Sequence, residues 1–275
     1  MTNDPFLGVG VQAARRAAAV IIDAARDLKR RPSHATNRGE MASDAGAEAE
    51  NAMIATLRGA FPDHAIVGKE AGEIVNQIQG GSSRGRRAPT TWIIDPIDGL
   101  INFRHGYPHY AVSIALARGD EITLAVVLDP VHDELFAAVK GKGAQRNGTP
   151  LRTSPCIRLD QALVGTVVPP HGSGRMPAYL AIETALAAQC GDIRRAGAGQ
   201  LDLAYVAAGR LDGFFVLGRN VRDFAAGALI VDEASGRVGD FAGGVDFHRT
   251  NELIAAAPGV FNSLREAIAA AAPSR

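Results

Sequence analysis

Two aspartates three residues apart, placed after an apolar run, are the first residues here whose types and spacing suggest chemistry. In the string Trp92-Ile93-Ile94-Asp95-Pro96-Ile97-Asp98-Gly99-Leu100-Ile101-Asn102-Phe103, an apolar strand delivers Asp95 at its end. Pro96 stops regular pairing, and Asp98 returns within a tight turn. Both carboxylates and the Ile97 carbonyl can then converge on one point, an oxygen arrangement suited to hard cations such as Mg²⁺. Gly99 permits close approach of backbone N–H groups, which can hold a phosphate oxygen where the next helix opens. An isolated D-P-x-D-G is an ordinary surface turn built from common turn residues. The buried strand before it and the Asn-Phe after it make the full string far more specific.

The elements that must position these residues follow from periodicity. Val11, Ala14, Ala18, Ile21, Ile22, Ala25 and Leu28 share one face of a helix expected over about 7–30 and ended by Pro32. Residues 33–44 are polar and read as irregular, and a second helix is expected over 45–60, stopped by Phe61-Pro62-Asp63. His64 to Gly68 then form a short buried strand. After a Gly/Ser/Arg-rich loop comes the motif strand, then a strand pair turning at Gly119-Asp120, and a further strand turn at Asn147-Gly148. From about Leu151 the texture alternates strand and helix. Asp223 opens a helix that begins Phe224-Ala225-Ala226-Gly227. The expected division is 1–150, an α+β half carrying the motif, and 151–275, an α/β half that completes the site.

Bulk properties exclude several classes. The chain has 275 residues, of which 47% are hydrophobic and 21% charged, an ordinary globular composition. Its 29 basic and 29 acidic residues cancel, so no global field favours nucleic acid or a membrane. The locally basic run at 82–89 reads as a solvated loop. Cys156 and Cys190 fit no disulfide or zinc spacing and suit a reducing compartment. No secretory leader and no segment of membrane-spanning length is read from the sequence, so a cytoplasmic protein without a membrane partner is expected. His105 and His109 sit among Gly, Pro and Tyr, the setting of a packed or partly exposed loop. His132 and His171 are isolated.

Taken together, W-I-I-D-P-I-D-G with N-F at 102–103, and R-D-F-A-A-G at 222–227 followed by a helix and Gly236, resemble the two signatures of the inositol monophosphatase family. That family consists of Mg²⁺-dependent, lithium-sensitive phosphomonoesterases. F-P-D-H-A-I-V-G, G-A-Q-R-N-G-T-P-L and L-D-L-A-Y-V-A-A-G-R-L-D-G-F-F fit in order and spacing, so the resemblance covers nearly the whole chain. It implies an α/β (α+β) fold layered α-β-α-β-α, with the site between the halves. It also implies that Asp95, Asp98 and Asp223 hold one metal, and that Asp95 and the Ile97 carbonyl hold another. Gly99 and Leu100 N–H groups would take phosphate, and Gly197, Ala198 and Gly199 match the stretch where the backbone nears substrate. A homodimer is the family expectation.

The chain departs from the family at four positions of the mechanism and at a fifth beside Asp223. Where the family has G-E-E with a metal-bridging first Glu, it has Gly68-Lys69-Glu70. Leu100 stands where a Thr or Ser hydroxyl orients the attacking water. Counting back without a gap places Gly46 where an Asp acts as the base, with Asp44 two residues away. Val216 stands where an acid contacts a substrate hydroxyl, and Arg222 replaces the Trp before Asp223. Lys69 is read as replacing a cation within the acidic cluster, since an ammonium about 4 Å from carboxylates interacts with them by several kcal/mol before desolvation. The alternative is a slipped loop in which Glu70 becomes the metal ligand. The sequence therefore points to binding of a phosphorylated small molecule with weak or lost hydrolysis, with a protein partner as a further expectation. It also points to fewer Mg²⁺ ions than the family's complement, or none. The alternative is an active Mg²⁺-dependent phosphomonoesterase on inositol, sugar or polyol phosphates, using Asp95, Asp98, Asp223 and Glu70, with Asp44 as a catalytic candidate.

Overall fold

The computed structural model describes residues 4–30, 37–68, 73–74, 90–245 and 247–272. The basic run at 82–89 and both Lys69 and Glu70 lie outside the described residues.

The N-terminal helix α1, Pro5–Arg30, packs against α2, Arg38–Ala60, and the pair covers one face of the first sheet. By length and composition α1 could cross a membrane, which corrects the expectation that no segment reaches that size. Its apolar face is instead committed to the protein core, where Ala13, Ala14, Ala17 and Ile21 are fully buried. A second correction concerns α2, which starts at Arg38 although its first residues are polar. Arg38 is buried, and its guanidinium donates from Nη1 to Leu28 O (2.7 Å) and from Nε to Arg104 O (2.9 Å). Leu28 O belongs to the last turn of α1, where carbonyls lack a partner within the helix. Tertiary hydrogen bonds thus start α2 where the local sequence offers no apolar periodicity.

The first sheet contains β1 (Ala65–Val67), β2 (Glu73–Ile74), β3 (Thr90–Asp98), β4 (Ala111–Arg118), β5 (Glu121–Asp129), β6 (Glu134–Val139), β7 (Ala144–Arg146) and β8 (Thr149–Pro150). Their order is β2-β1-β3-β4-β5-β6-β7-β8, antiparallel except for β1 beside β3. Strand β4 is buried along nearly its whole length, so both faces are covered and its sequence reads as a continuous apolar run. The turns at Gly119-Asp120 and Asn147-Gly148 form as the sequence predicts; Asn147 and Gly148 have φ of 48° and 83°, the positive pair that a tight hairpin needs. Trp92 is fully buried in β3, and its indole N–H donates to His64 Nδ1 (3.1 Å). Burial, and then the nearby Arg118 charge, hold the His64 pKa below its ordinary value, which keeps the ring neutral and able to accept.

Helix α3 (Leu100–His105) follows β3. The second half supplies β9 (Leu163–Thr166), α4 (Met176–Ala187), β10 (Asp192–Arg194), α5 (Gly199–Ala207), β11 (Gly213–Leu217), α6 (Ala225–Glu233), β12 (Arg237–Gly239), α7 (Phe247–Thr250), β13 (Glu252–Ala256) and α8 (Pro258–Ala271). Its sheet runs β10-β9-β11-β13-β12, with β10, β9 and β11 parallel. Helices α5 and α6 lie between the two sheets, and α4 and α8 cover the outer face of the second. The result is the α-β-α-β-α layering expected from the family. The middle core joins Ala111 and Phe136 of the first sheet to Val216 and Leu253 of the second, so the halves share one interior. Gly227 sets the α5–α6 spacing: a Cβ there would meet Leu203 Cβ at 2.4 Å, so only glycine allows the helices to touch at this point.

Candidate active site

Asp95 and Asp98 are an odd number of residues apart, and in a regular strand they would face opposite sides of the sheet. A β-bulge removes that conflict. Asp95 pairs with Ser113 and Asp98 with Ala111, so three steps along β3 match two along β4. The extra residue brings both carboxylates to one face. Regular pairing does break at Pro96, as expected from sequence, but the strand does not end at Asp95; pairing resumes at Asp98 through the bulge.

Gly99 turns the chain from β3 into α3 with φ of 88°. A Cβ there would lie 3.0 Å from His109 O and 3.1 Å from Ala198 Cβ, so both the conformation and the space require glycine. Asn102, two residues into α3, donates both amide protons: to His109 O (2.7 Å) and to Ala196 O (2.6 Å). The second bond reaches the loop before α5, and one side chain thereby ties the motif to the second half.

The third acid comes from a different corner. After β11 a 3₁₀ turn, Val221–Asp223, leads into α6. Asp223 Oδ2 accepts from Asn220 N (3.2 Å) while the Asn220 side chain bonds back to the Asp223 backbone, a reciprocal capping box. Gln200, buried in the first turn of α5, joins the two corners. Its backbone N donates to Asp98 Oδ2 (2.8 Å), its Nε2 to Arg222 O (2.8 Å), and its Oε1 accepts from Gly227 N (2.7 Å).

A cavity of about 540 Å³ opens here, lined by Asp95, Ile97, Asp98, Gly99, Leu100, Gly197, Gly199, Arg222 and Asp223 together with Arg195 and Arg219. The structure thus brings the aspartates of both signatures to one cavity. Ala198 is fully buried and packs on Gly99 without lining it. Val216 is buried in β11 within the middle core, away from the cavity wall. Gly46 lies inside α2, with Ile97 Cδ1 3.9 Å from where its Cβ would be, whereas Asp44 is exposed on the same helix. Leu100 is part of the cavity wall. His105 is exposed, while His109 is packed and bonded through Nε2 to Asp202 Oδ1 (2.9 Å).

The electrostatics are one-sided around the aspartates. Burial, followed by the Asp95 charge, holds the Asp98 carboxyl well above the usual carboxylate range, and Asp202 and Asp223 push it the same way. The Gln200 N–H bond acts against them. Burial also raises Asp202, opposed by His109. Like charges gathered in a low-dielectric wall favour a neutralising cation. Asp98 Oδ1 and Asp223 Oδ1 accept no hydrogen bond among the described residues, so each aspartate has an oxygen to offer. Carboxylate and carbonyl oxygens are the donors Mg²⁺ takes, and in donor chemistry the residues fit it. Among the described residues, no group of three His, Cys, Asp or Glu side chains is already gathered as a preformed cation site.

A profile of the inositol monophosphatase family matches residues 2–274. The chain belongs to the inositol monophosphatase family. Among curated relatives, the protein named Nus factor SuhB from Pseudomonas aeruginosa is 41% identical over 262 residues, 94% of each chain. Its namesake from Vibrio cholerae is 35% identical over 254 residues, 92% of each. Among solved structures, the extragenic suppressor protein suhB from Bartonella henselae superposes with a TM-score of 0.82 at 34% identity, covering 96% of this chain and 99% of that one. Inositol monophosphatase from Anabaena gives 0.84 at 29% identity, covering 98% and 96%.

Gln200, bonded to Asp98 beside the cavity, and Arg195 and Arg219, which line it, were not singled out from sequence. Gln200 announces itself only as one of two polar residues, with Asp202, in the first turn of a mostly apolar α5. Arg195 and Arg219 carry no local signal; they become site residues because β9, β10 and β11 run parallel and end at the same edge. Glu50 is also buried. It lies one turn beyond Gly46 on α2, and a Cβ on Gly68 would stand 2.3 Å from its Oε1.

Proposed function

We propose that this family member binds a phosphorylated small molecule in the cavity between the β3–α3 and 3₁₀–α6 corners, with weak or no hydrolysis. The observation that carries this reading is Leu100. It lines the cavity at the first residue of α3, where the family's water-orienting hydroxyl would stand, and its side chain has no polar atom. Two neighbours support it: Gly46 offers no base, and Asp44 is exposed and not part of the cavity wall.

In this reading the Gly99 and Leu100 N–H groups, which have no carbonyl partner in the first turn of a helix, receive the phosphoryl oxygens. Gly197 and Gly199 let the ligand approach the backbone closely. Asp95, Asp98, Asp223 and the Ile97 carbonyl would hold Mg²⁺, which when bound would neutralise the cluster and polarise the phosphoryl group. Lys69 supplies part of that neutralisation in place of a bridging acid. The two unpaired cysteines agree with a cytoplasmic setting, and a homodimer follows the family expectation.

The test is phosphate release from a panel of phosphomonoesters with Mg²⁺, for the native chain and Asp98→Asn in parallel. The expected result is no release above the variant, together with Mg²⁺-dependent binding of the same esters by the native chain. Release that requires Mg²⁺ and disappears in the variant would instead establish the active phosphomonoesterase using Glu70.

A second reading is favoured by the relatives named Nus factor SuhB, at 35% and 41% identity: this chain also serves as a protein partner within a transcription complex. Binding to a purified transcription complex from the same organism, unchanged in Asp98→Asn, would support it. No binding would remove it.

A further inference from the structure

Three arginines line the cavity with the aspartates: Arg195, Arg219 and Arg222. Arg195 is already paired, with Nε 3.1 Å from Glu183 Oε1. The other two are not. Arg219 Nη2 donates to Val168 O (2.7 Å) and Arg222 Nη1 to Gly68 O (3.1 Å). These are carbonyl partners that position each guanidinium without cancelling its charge. Among the described residues, the Nε atom of each is buried with no hydrogen-bond partner. Among the described residues neither forms an ion pair, whereas Arg210, for comparison, is held by both oxygens of Glu134.

A buried donor without an acceptor costs stability, and native structures rarely leave one without a reason. Here two such donors belong to side chains three residues apart on one loop, both bordering the same cavity. A guanidinium offers Nε–H and Nη–H as a fork that matches a phosphate or carboxylate edge. Both arginines line the cavity, so an anion entering at this loop would come up against both side chains. Asp95 and Asp98 come from the β3–α3 corner, whereas Arg219 and Arg222 share their loop with Asp223, so one corner of the cavity brings only acids and the other brings both signs of charge.

We propose that Arg219 and Arg222 form an anion subsite, so that the cavity selects small molecules carrying two anionic groups, such as a bisphosphate or a phosphorylated carboxylate. The inference rests on the proposed phosphoryl seat at Gly99 and Leu100 for the ligand's first group. Arg219 and Arg222 take the second. The apolar Val168 and Pro170, which also line the cavity, border this end of it. They give the body of the ligand a surface that makes no competing hydrogen bonds.

The experiment is calorimetric binding of glucose 1,6-bisphosphate, glucose 1-phosphate and glucose 6-phosphate to the native chain, with and without Mg²⁺. The bisphosphate is expected to bind about tenfold more tightly than either monophosphate, or better, as charge-assisted hydrogen bonds warrant. In Arg219→Gln/Arg222→Gln that ratio should fall to near one. Arg222 also holds the Gly68 carbonyl, so Arg219→Lys provides a milder variant: it keeps the charge, removes the fork, and should lose part of the ratio in a protein that melts like the native one. Equal affinity for mono- and bisphosphate in the native chain overturns the proposal, as does a ratio that survives both arginine changes, or no bisphosphate binding at all. Asp98→Asn separates the two readings. Arginine-dependent binding that is indifferent to Asp98 and to Mg²⁺ would sink the phosphoryl seat while leaving the anion subsite standing.

Discussion

Two corners of the fold bring aspartates to one cavity, and they are built on opposite plans. The β3–α3 corner is held by its surroundings. A bulge fixed against β4 turns Asp95 and Asp98 to one side, and Gly99 is confined by His109 O and Ala198 Cβ. The 3₁₀–α6 corner is held by its own side chains, through the capping box of Asn220 and Asp223. The difference accounts for where novelty sits. A corner fixed by backbone packing can alter a cavity-facing side chain, as at Leu100, without losing its shape. A corner fixed by a short side-chain box can accept new residues beside the box and within it, and it carries Arg219 just before the box and Arg222 inside it.

The contrast can be broken by substitution, with effects that should descend in a fixed order. Gly99→Val asks for a left-handed conformation that β-branched residues avoid and places a side chain against two packed atoms. A loss of about 3 kcal/mol is expected, read as a lower urea midpoint at unchanged slope. Gln200→Leu removes the side-chain link between the corners. It leaves Arg222 O and Gly227 N without their present partners, and about 2 kcal/mol is expected from two buried backbone groups left unbonded. Asn220→Ala opens only the capping box, with a loss of about 1 kcal/mol. If Asn220→Ala proved as costly as Gly99→Val, the second corner would not be the self-contained unit described here.

Most of the fold could be read from the sequence because its signals are local. Apolar periodicity gives α1, turn residues give the β4–β5 and β7–β8 connections, and the two motif strings locate the aspartates. What was not legible depends on long-range bonds. Seven residues of α2 were read as irregular because Arg38 earns its helical place from Leu28 O and Arg104 O, partners ten and sixty-six positions away. The interruption of pairing at Pro96 is legible, but its resumption at Asp98 is not, because the register of β4 is invisible in β3 alone. Asp44 was kept as a candidate because sequence counting allows a slip, whereas a continuous helix from Arg38 to Ala60 leaves it exposed with Gly46 turned to Ile97. Arg219 could not be singled out before the parallel strands showed which loops share an edge.

Asn102 has a consequence for the lifetime of the molecule. Its amide nitrogen spends one proton within the first half, on His109 O, and the other across the joint between the halves, on Ala196 O. Deamidation, which water alone accomplishes given time, would exchange that nitrogen for a charged oxygen. The same spot would then set an anion against two carbonyl oxygens, beside a cavity wall already crowded with negative charge. A change of almost no mass and no volume would turn a clasp into a wedge, so ageing at this one side chain should loosen the site before it loosens the fold.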